Sequence, residues 1–157
     1  MRRGGTGLGT GKSLRILIVE DEILIALELE SLLQDVGHDV VGIAASSADA
    51  LRLARDLKPD LAFVDIHLAD GPTGVDVARH LAARLDVAVL FMTANAKRIP
   101  EDFAGALGVI AKPYTERGVR EALAYVLADR SRGAPSRAPV AFVSFAQVGC
   151  EDGSSPS

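Results

Sequence analysis

Four short stretches carry side chains able to do chemistry together: Glu20-Asp21, Asp65, Thr93 and Lys112-Pro113, each at the end of an apolar run. The clearest is Ala62-Phe-Val-Asp-Ile-His-Leu68, which reads as a strand buried on both faces of a parallel sheet, with Asp65 exposed where the strand stops. A carboxylate there acts as a nucleophile, as a metal ligand, or simply as a cap for the helix that follows. Two or three carboxylates gathered within about 4–6 Å repel one another, and at an effective dielectric near 20 a pair at 4 Å costs about 4 kcal/mol. Such a group needs a cation, a proton or both. Ligands that are all oxygen favour a hard ion, and two carboxylates plus waters suit Mg2+. That ion would draw in a phosphoryl group, whose charge Lys112 would partly neutralise and whose oxygens the Thr93 hydroxyl would hydrogen-bond. With no serine or cysteine nucleophile at the site, Asp65 supplies the attacking atom, and the product is an acyl phosphate. Each stretch alone has a plainer explanation: a helix cap, a turn threonine, a solvated lysine, a turn proline. Their placement at matching strand ends argues for a site.

The elements that must position them follow from periodicity. Strands are expected at Leu14–Val19, Asp39–Ala44, Leu61–Asp65, Val87–Met92 and Gly108–Ala111. Between the first two, a helix buries Ile25, Leu29, Leu32, Leu33 and Val36, with Gly37 capping its C-terminus. Ser46 and Ser47 are candidate N-caps of a second helix with inner face Ala50, Leu51, Ala54 and Leu57, stopped before Pro59. A long loop over Asp70–Gly74 leads to a third helix with Val75, Ala78, Leu81, Ala82 and Leu85 inward. A brief fourth helix follows Pro100, weakened by Gly105. The last helix, Glu116 to about Asp129, buries Val119, Leu123, Val126 and Leu127. Five strands alternating with five helices imply α/β architecture: a doubly wound parallel sheet covered on both faces, with active groups beyond the carboxyl ends of the strands. If the first, third, fourth and fifth strands are neighbours, Glu20, Asp21, Asp65, Thr93 and Lys112 meet there.

The bulk properties bound the possibilities. At 157 residues, 48% hydrophobic, the chain suits one domain with a real core, expected over residues 14–129, between a disordered segment 1–13 and a tail 130–157. A formal charge of −4 with scattered basic residues points away from nucleic acid. The lone cysteine, Cys150, excludes an internal disulfide, and no stretch approaches the roughly 20 apolar residues of a membrane span, so a cytoplasmic protein is expected. Thr6 to Ser13 imitates a phosphate-binding P-loop, but Thr6 stands where glycine is required and a strand follows where a helix should. The tail combines a linker-like segment, 130–139, with an apolar, β-prone Val140–Val148, expected to be loose or weakly docked.

Val-Glu-Asp-Glu22, Asp65, Thr93-Ala94 and Lys112-Pro113, in that order and spacing, resemble the receiver domain of two-component response regulators across about residues 14–129. The resemblance implies a five-stranded flavodoxin-like fold of order 2-1-3-4-5 with three α/β/α layers, the order for which this family already serves as a worked example. It implies that Asp65 accepts a phosphoryl group from a histidine kinase or phosphotransfer protein and signals onward to another protein, by contact or by further phosphotransfer. By the same resemblance, Asp21, Asp65 and the His67 backbone carbonyl ligate magnesium, Glu20 does so through water, Thr93 and Lys112 read the phosphoryl oxygens, and Lys112-Pro113 is cis. No enzyme activity is expected beyond self-catalysed phosphoryl acceptance and hydrolysis, and the chain is expected to be a monomer or weak homodimer that touches neither nucleic acid nor membrane.

The sequence departs from the family pattern in places. Val109 replaces the aromatic switch residue three positions before the lysine, Ala69 replaces the proline four after the phosphoacceptor, and Gly74 falls one residue late. Phe91-Met-Thr-Ala-Asn95 is similar to a Phe-Ala-Thr-Gly-Tyr stretch found in a subgroup lacking that switch, of which it keeps the Phe and Thr. By the resemblance, His67 and Asn95 occupy positions that in the family influence phosphoryl lifetime and are expected to tune hydrolysis, while His38 and His80 are expected at the surface. A haloacid-dehalogenase-type phosphatase is the enzyme alternative, although it wants an acid where His67 stands. A phosphate-independent binding module is the other.

Overall fold

A computed structural model describes residues 13–94, 103–112 and 114–132. The P-loop imitation, Asn95, Pro100, Pro113 with its expected cis bond, and the tail from 133 with Cys150 lie outside the described residues. Five strands, β1 (Arg15–Val19), β2 (Asp39–Ala44), β3 (Leu61–Asp65), β4 (Ala88–Thr93) and β5 (Gly108–Ala111), form one sheet. Every pairing is parallel and the order is β2-β1-β3-β4-β5, as the resemblance implied. The helices are α1 (Ile23–Asp35), α2 (Ser47–Leu57), α3 (Gly74–Arg84) and α4 (Glu116–Arg132).

Side chains alternate across each strand, so one stretch of sequence supplies two cores. Ile16, Ile18, Leu61, Phe63, Leu90, Met92 and Ile110 face one way, onto Ala26, Leu29 and Leu33 of α1 and Val119, Ala122, Leu123 and Val126 of α4. Leu17, Val19, Ala62, Val64, Val89, Phe91 and Val109 face the other, onto Ala50 and Ala54 of α2 and Val77, Ala78 and Leu81 of α3. The three layers keep all four groups of chemical interest at the carboxyl edge of the sheet.

Several expectations need correction. Of the expected fourth helix, the described part is a 3-10 turn at Phe103–Gly105. The last helix runs to Arg132, three residues into the stretch expected to be linker. The inner stripe of α3 is Gly74, Val77, Ala78 and Leu81, while Val75, Ala82 and Leu85 are half-buried on its flank. Both sets fit a 3.6-residue period, and the rotation of the helix against the sheet selects the first. His38 is half-buried, because its Nδ1 accepts the Leu14 backbone N–H at 3.0 Å where β1 begins. Burial also lowers its pKa. Gly37, by contrast, caps α1 as expected: with φ +96° it lets its own N–H reach the Gln34 carbonyl and that of His38 reach Leu33.

Gly74 is the glycine that the site depends on. Its N–H donates to the Ile66 carbonyl at 2.9 Å, and a Cβ there would lie 2.1 Å from the Asp65 carbonyl oxygen and 2.7 Å from Ile66 Cα. Those are backbone atoms beside the candidate nucleophile and cannot swing aside. Gly74→Ala is expected to cost about 3 kcal/mol, as overpacking against fixed atoms does. The measurement is the urea midpoint, and an unchanged midpoint would show that the loop yields freely.

Candidate functional site

Each strand end delivers one group. Glu20 follows β1 directly, its N–H donating to Ala44 at 2.8 Å, and it is only 1% exposed. Asp65 is the last residue of β3, paired with Met92, and Thr93 ends β4. Lys112 follows β5, its backbone N–H donating to the Thr93 carbonyl at 2.8 Å. Asp65 is buried, at 7% exposure, rather than exposed where its strand stops, because the neighbouring strand ends and the loop after β3 close over it. Asp21 remains exposed, and so does Ala94.

Lys112 Nζ joins the group, 2.8 Å from Asp65 Oδ2 and 2.8 Å from Glu20 Oε1. The contact with Asp65 is a well-formed hydrogen bond. The contact with Glu20 is charge pairing without good alignment, since Oε1 is buried and accepts no directed hydrogen bond among the described residues. Glu20 Oε2 accepts the Glu22 N–H at 3.0 Å, and Asp65 Oδ1 accepts the His67 N–H at 3.1 Å.

Electrostatics follow from this crowding. Burial pushes Glu20 up to about 7, outweighing the lowering by Lys112 and the Glu22 N–H, and the charge of Asp65 adds to the rise. Burial by itself would lower Lys112, but the hydrogen bond to Asp65 and the close charge of Glu20 outweigh it and hold the lysine above its usual value. The Tyr114 hydroxyl donates to the Ile25 carbonyl at 3.1 Å, and burial, then the carboxylates of Glu28 and Glu20, push it up to about 12.

A cation fits the residues present. Glu20, Asp21 and Asp65 each offer a carboxylate oxygen, all within 4.8 Å of one another. Octahedral ligands at about 2.1 Å span about 3–4.2 Å, so a small contraction suffices for magnesium. Glu20 Oε1, buried and met by Lys112 Nζ at 2.8 Å without a well-aligned hydrogen bond, keeps a lone pair for an ion or its water and is the second sign. The donor set is all oxygen, which selects a hard ion.

Without a divalent ion, the folded chain holds a proton on Glu20 between pH 4.5 and about 7 that the unfolded chain has released. Glu20 therefore contributes stability that is fully present below pH 4.5 and is lost as pH rises through about 7, on the order of 3 kcal/mol across the window. Magnesium must displace that proton, so the rise in Tm on adding millimolar Mg2+ is expected to be larger at pH 8 than at pH 5.5. In Glu20→Gln the stability loss between those pH values should shrink, and a variant with an unchanged pH slope would assign the proton elsewhere.

Sequence reasoning thus placed Glu20, Asp21, Asp65, Thr93 and Lys112 on one sheet edge, where they are. The switch position, Val109, is packed in the core beside Phe91 of β4 and carries no hydroxyl or ring to move. Two features escaped it: the Tyr114 bond to α1, and a link between Asp70 and Ser47. Ser47 and Asp70 each signal a local cap or turn in the sequence, but nothing there pairs them.

The family model described as response regulator receiver domain matches residues 16–124. A curated relative, the phyllosphere-induced regulator PhyR of Methylorubrum extorquens, is 36% identical over 125 residues, covering 78% of this chain and 47% of that protein. The chain spans about half the length of the curated relatives it matches first. Among solved structures, the receiver domain of Erythrobacter litoralis PhyR is 37% identical with a TM-score of 0.68, covering 74% of this chain and 91% of that one. The anti-anti-sigma factor PhyR of Bartonella quintana is 29% identical with a TM-score of 0.71, covering 79% of this chain and 51% of that one.

Proposed function

The chain belongs to the response regulator receiver family, and from that premise we propose that Asp65 accepts a phosphoryl group from a histidine kinase or phosphotransfer protein and that the signal leaves by protein contact or by further phosphotransfer. The reading is carried by the position of Lys112 Nζ, 2.8 Å from both Asp65 and Glu20, at the mouth of a three-carboxylate group.

The Asp65 carboxylate attacks phosphorus in line, forming an O–P bond as the N–P bond of a phosphohistidine breaks and its electron pair returns to the imidazole nitrogen. The His67 N–H and Lys112 Nζ orient the carboxylate for this. Lys112 carries fixed positive charge beside the place where phosphoryl oxygens arrive, and Thr93 stands at the adjacent strand end to donate a hydroxyl. Magnesium, held by Asp21, Asp65 and the His67 carbonyl, with Glu20 through water, would supply positive charge that offsets the carboxylates and draws in the phosphoryl oxygens.

Ile23, Leu24 and Leu27 are exposed at the start of α1, beside Asp21, with Leu24 at 74%. Large apolar side chains next to the pocket suit a protein donor better than a free metabolite. Output by protein contact fits the Bartonella quintana relative, which is named an anti-anti-sigma factor. No helix among the described residues is long and apolar enough to cross a membrane. We take the protein as a cytoplasmic monomer or weak homodimer, without nucleic-acid or membrane partners and without turnover of external substrates.

Incubation with acetyl phosphate and Mg2+ is the test. An intact-mass gain of one phosphoryl group is expected. Turnover of assorted phosphomonoesters would replace this reading with a phosphatase, and absence of labelling by any donor would leave a binding module.

A further inference from the structure

The connection between β3 and α3 is tied down at many points. Ile66 and Leu68 anchor it in the core. Leu68 and Gly71 exchange backbone hydrogen bonds at 2.8 and 2.9 Å, and the Ala69 N–H donates to the Ala45 carbonyl at 3.0 Å. At its centre Asp70, though exposed, gathers three donors. Its Oδ2 accepts the Ser47 hydroxyl at 2.6 Å and the Ser47 N–H at 3.2 Å, and its Oδ1 accepts the Thr73 hydroxyl at 2.7 Å.

The Ser47 hydroxyl, and after it that of Thr73, holds the Asp70 carboxyl below the usual range. Ser47 opens α2, whose first-turn amides and dipole favour a negative charge. The same connection carries His67, whose N–H donates to Asp65 Oδ1. It has Ala69 where the family pattern has proline.

We infer that Asp70 is a positioning residue for Asp65: by stitching this connection to the start of α2, it fixes the His67 amide and so the direction of the Asp65 carboxylate. Hydrogen bonds here do what a proline ring does covalently, which is to limit the conformations open to the segment. This inference rests on the reading of Asp65 as phosphoacceptor. The simpler role is a helix cap reached from another loop, which affects stability alone. The two roles differ in what happens two, three and five residues upstream of Asp70, at Leu68, His67 and Asp65.

The experiment compares Asp70→Ala, Asp70→Asn and Ser47→Ala in the full chain. In Asp70→Ala, amide hydrogen exchange at His67 should accelerate at least severalfold while that of Phe63 in the same strand system is unchanged. Half-saturation by Mg2+ should rise and phosphoryl uptake from acetyl phosphate should fall, each by roughly three- to tenfold. That is at or below the range for groups that orient a metal ligand, because Asp70 acts at one further remove. Asp70→Asn, whose amide oxygen still accepts from Ser47 while its NH2 can donate to the Thr73 hydroxyl, should recover most of the loss. A lower Tm with His67 exchange, Mg2+ response and uptake all at parental values would make Asp70 a cap and overturn the inference. If Asp70→Ala does not fold, Ser47→Ala answers the same question by removing one donor. If the parent chain takes up no phosphoryl group, the phosphoacceptor reading fails by itself, and His67 exchange with the Mg2+ titration still decides whether Asp70 positions the loop.

Discussion

Asp65→Asn is expected to abolish phosphoryl uptake while leaving the fold intact. The asparagine amide oxygen can still accept from Lys112 Nζ or from the His67 N–H, the two bonds that Asp65 makes. What disappears is the carboxylate oxygen whose attack yields the acyl phosphate, and no other described group stands in its place between Glu20, Thr93 and Lys112. A second effect runs in the opposite direction. The charge of Asp65 is one of the causes that raise Glu20, so removing it should let Glu20 ionise somewhat more readily, although burial keeps it elevated. The metal-free variant loses one partner of Lys112 as well as one source of carboxylate repulsion, so its Tm should fall by less than that of Lys112→Met, and it should respond less to Mg2+ because one of three carboxylates is gone. Intact mass after acetyl phosphate treatment reads the first effect, and a thermal melt with and without Mg2+ reads the second. Undiminished mass gain in Asp65→Asn would remove Asp65 from the centre of the site.

Lys112→Met should slow phosphoryl uptake on the order of 10²-fold, the usual cost of removing a preorganised group from the place where charge develops. Its effect on stability is separable by pH. Removing one member of a buried ion pair leaves the other uncompensated, typically a loss of about 3–5 kcal/mol. Lys112 pairs with two carboxylates, of which Glu20 is 1% exposed. At pH 8 Glu20 is ionised against Lys112 in the parent, so the pair is there to be lost and the larger loss is expected, limited by the proton that Glu20 takes up more readily once Lys112 no longer lowers it. At pH 5.5 Glu20 carries its proton, because burial holds it near 7, and the loss should be smaller. Urea midpoints at the two pH values check the sign. Lys112→Arg should not restore uptake, since the bulkier planar guanidinium spreads its charge and donors over a fixed fork and cannot reproduce a compact ammonium placed 2.8 Å from both oxygens. Labelling of Lys112→Met at the parental rate would separate the ion pair from the chemistry.

Much of the site was legible because it obeys a local rule. A buried parallel strand is a short apolar run, and a polar residue just after it must lie at the carboxyl edge of the sheet. Glu20, Asp65, Thr93 and Lys112 satisfy that rule one by one, so their common edge was readable without knowing any distance. The core was legible to the same degree: Phe63 and Val64 face opposite helical layers because neighbouring strand residues must. Small residues were harder to place. Val77 and Ala26 are in the core while Val75 and Ile25 sit on its margin, a choice set by a helix rotation of a few tens of degrees that composition does not encode.

By itself, then, the sequence determined the element order, the doubly wound class and which chemical groups stand at the working edge, because these depend on periodicity and on the position of polar residues within a few neighbours. Tertiary structure alone decided how the groups meet. Packing buried Asp65 and raised Glu20, set Lys112 Nζ at equal distance from both, drew His38 onto Leu14, and tied Asp70 to Ser47 across 23 residues. Those outcomes rest on contacts between elements distant along the chain. Their energies depend on separations and desolvation that exist only once the layers have closed.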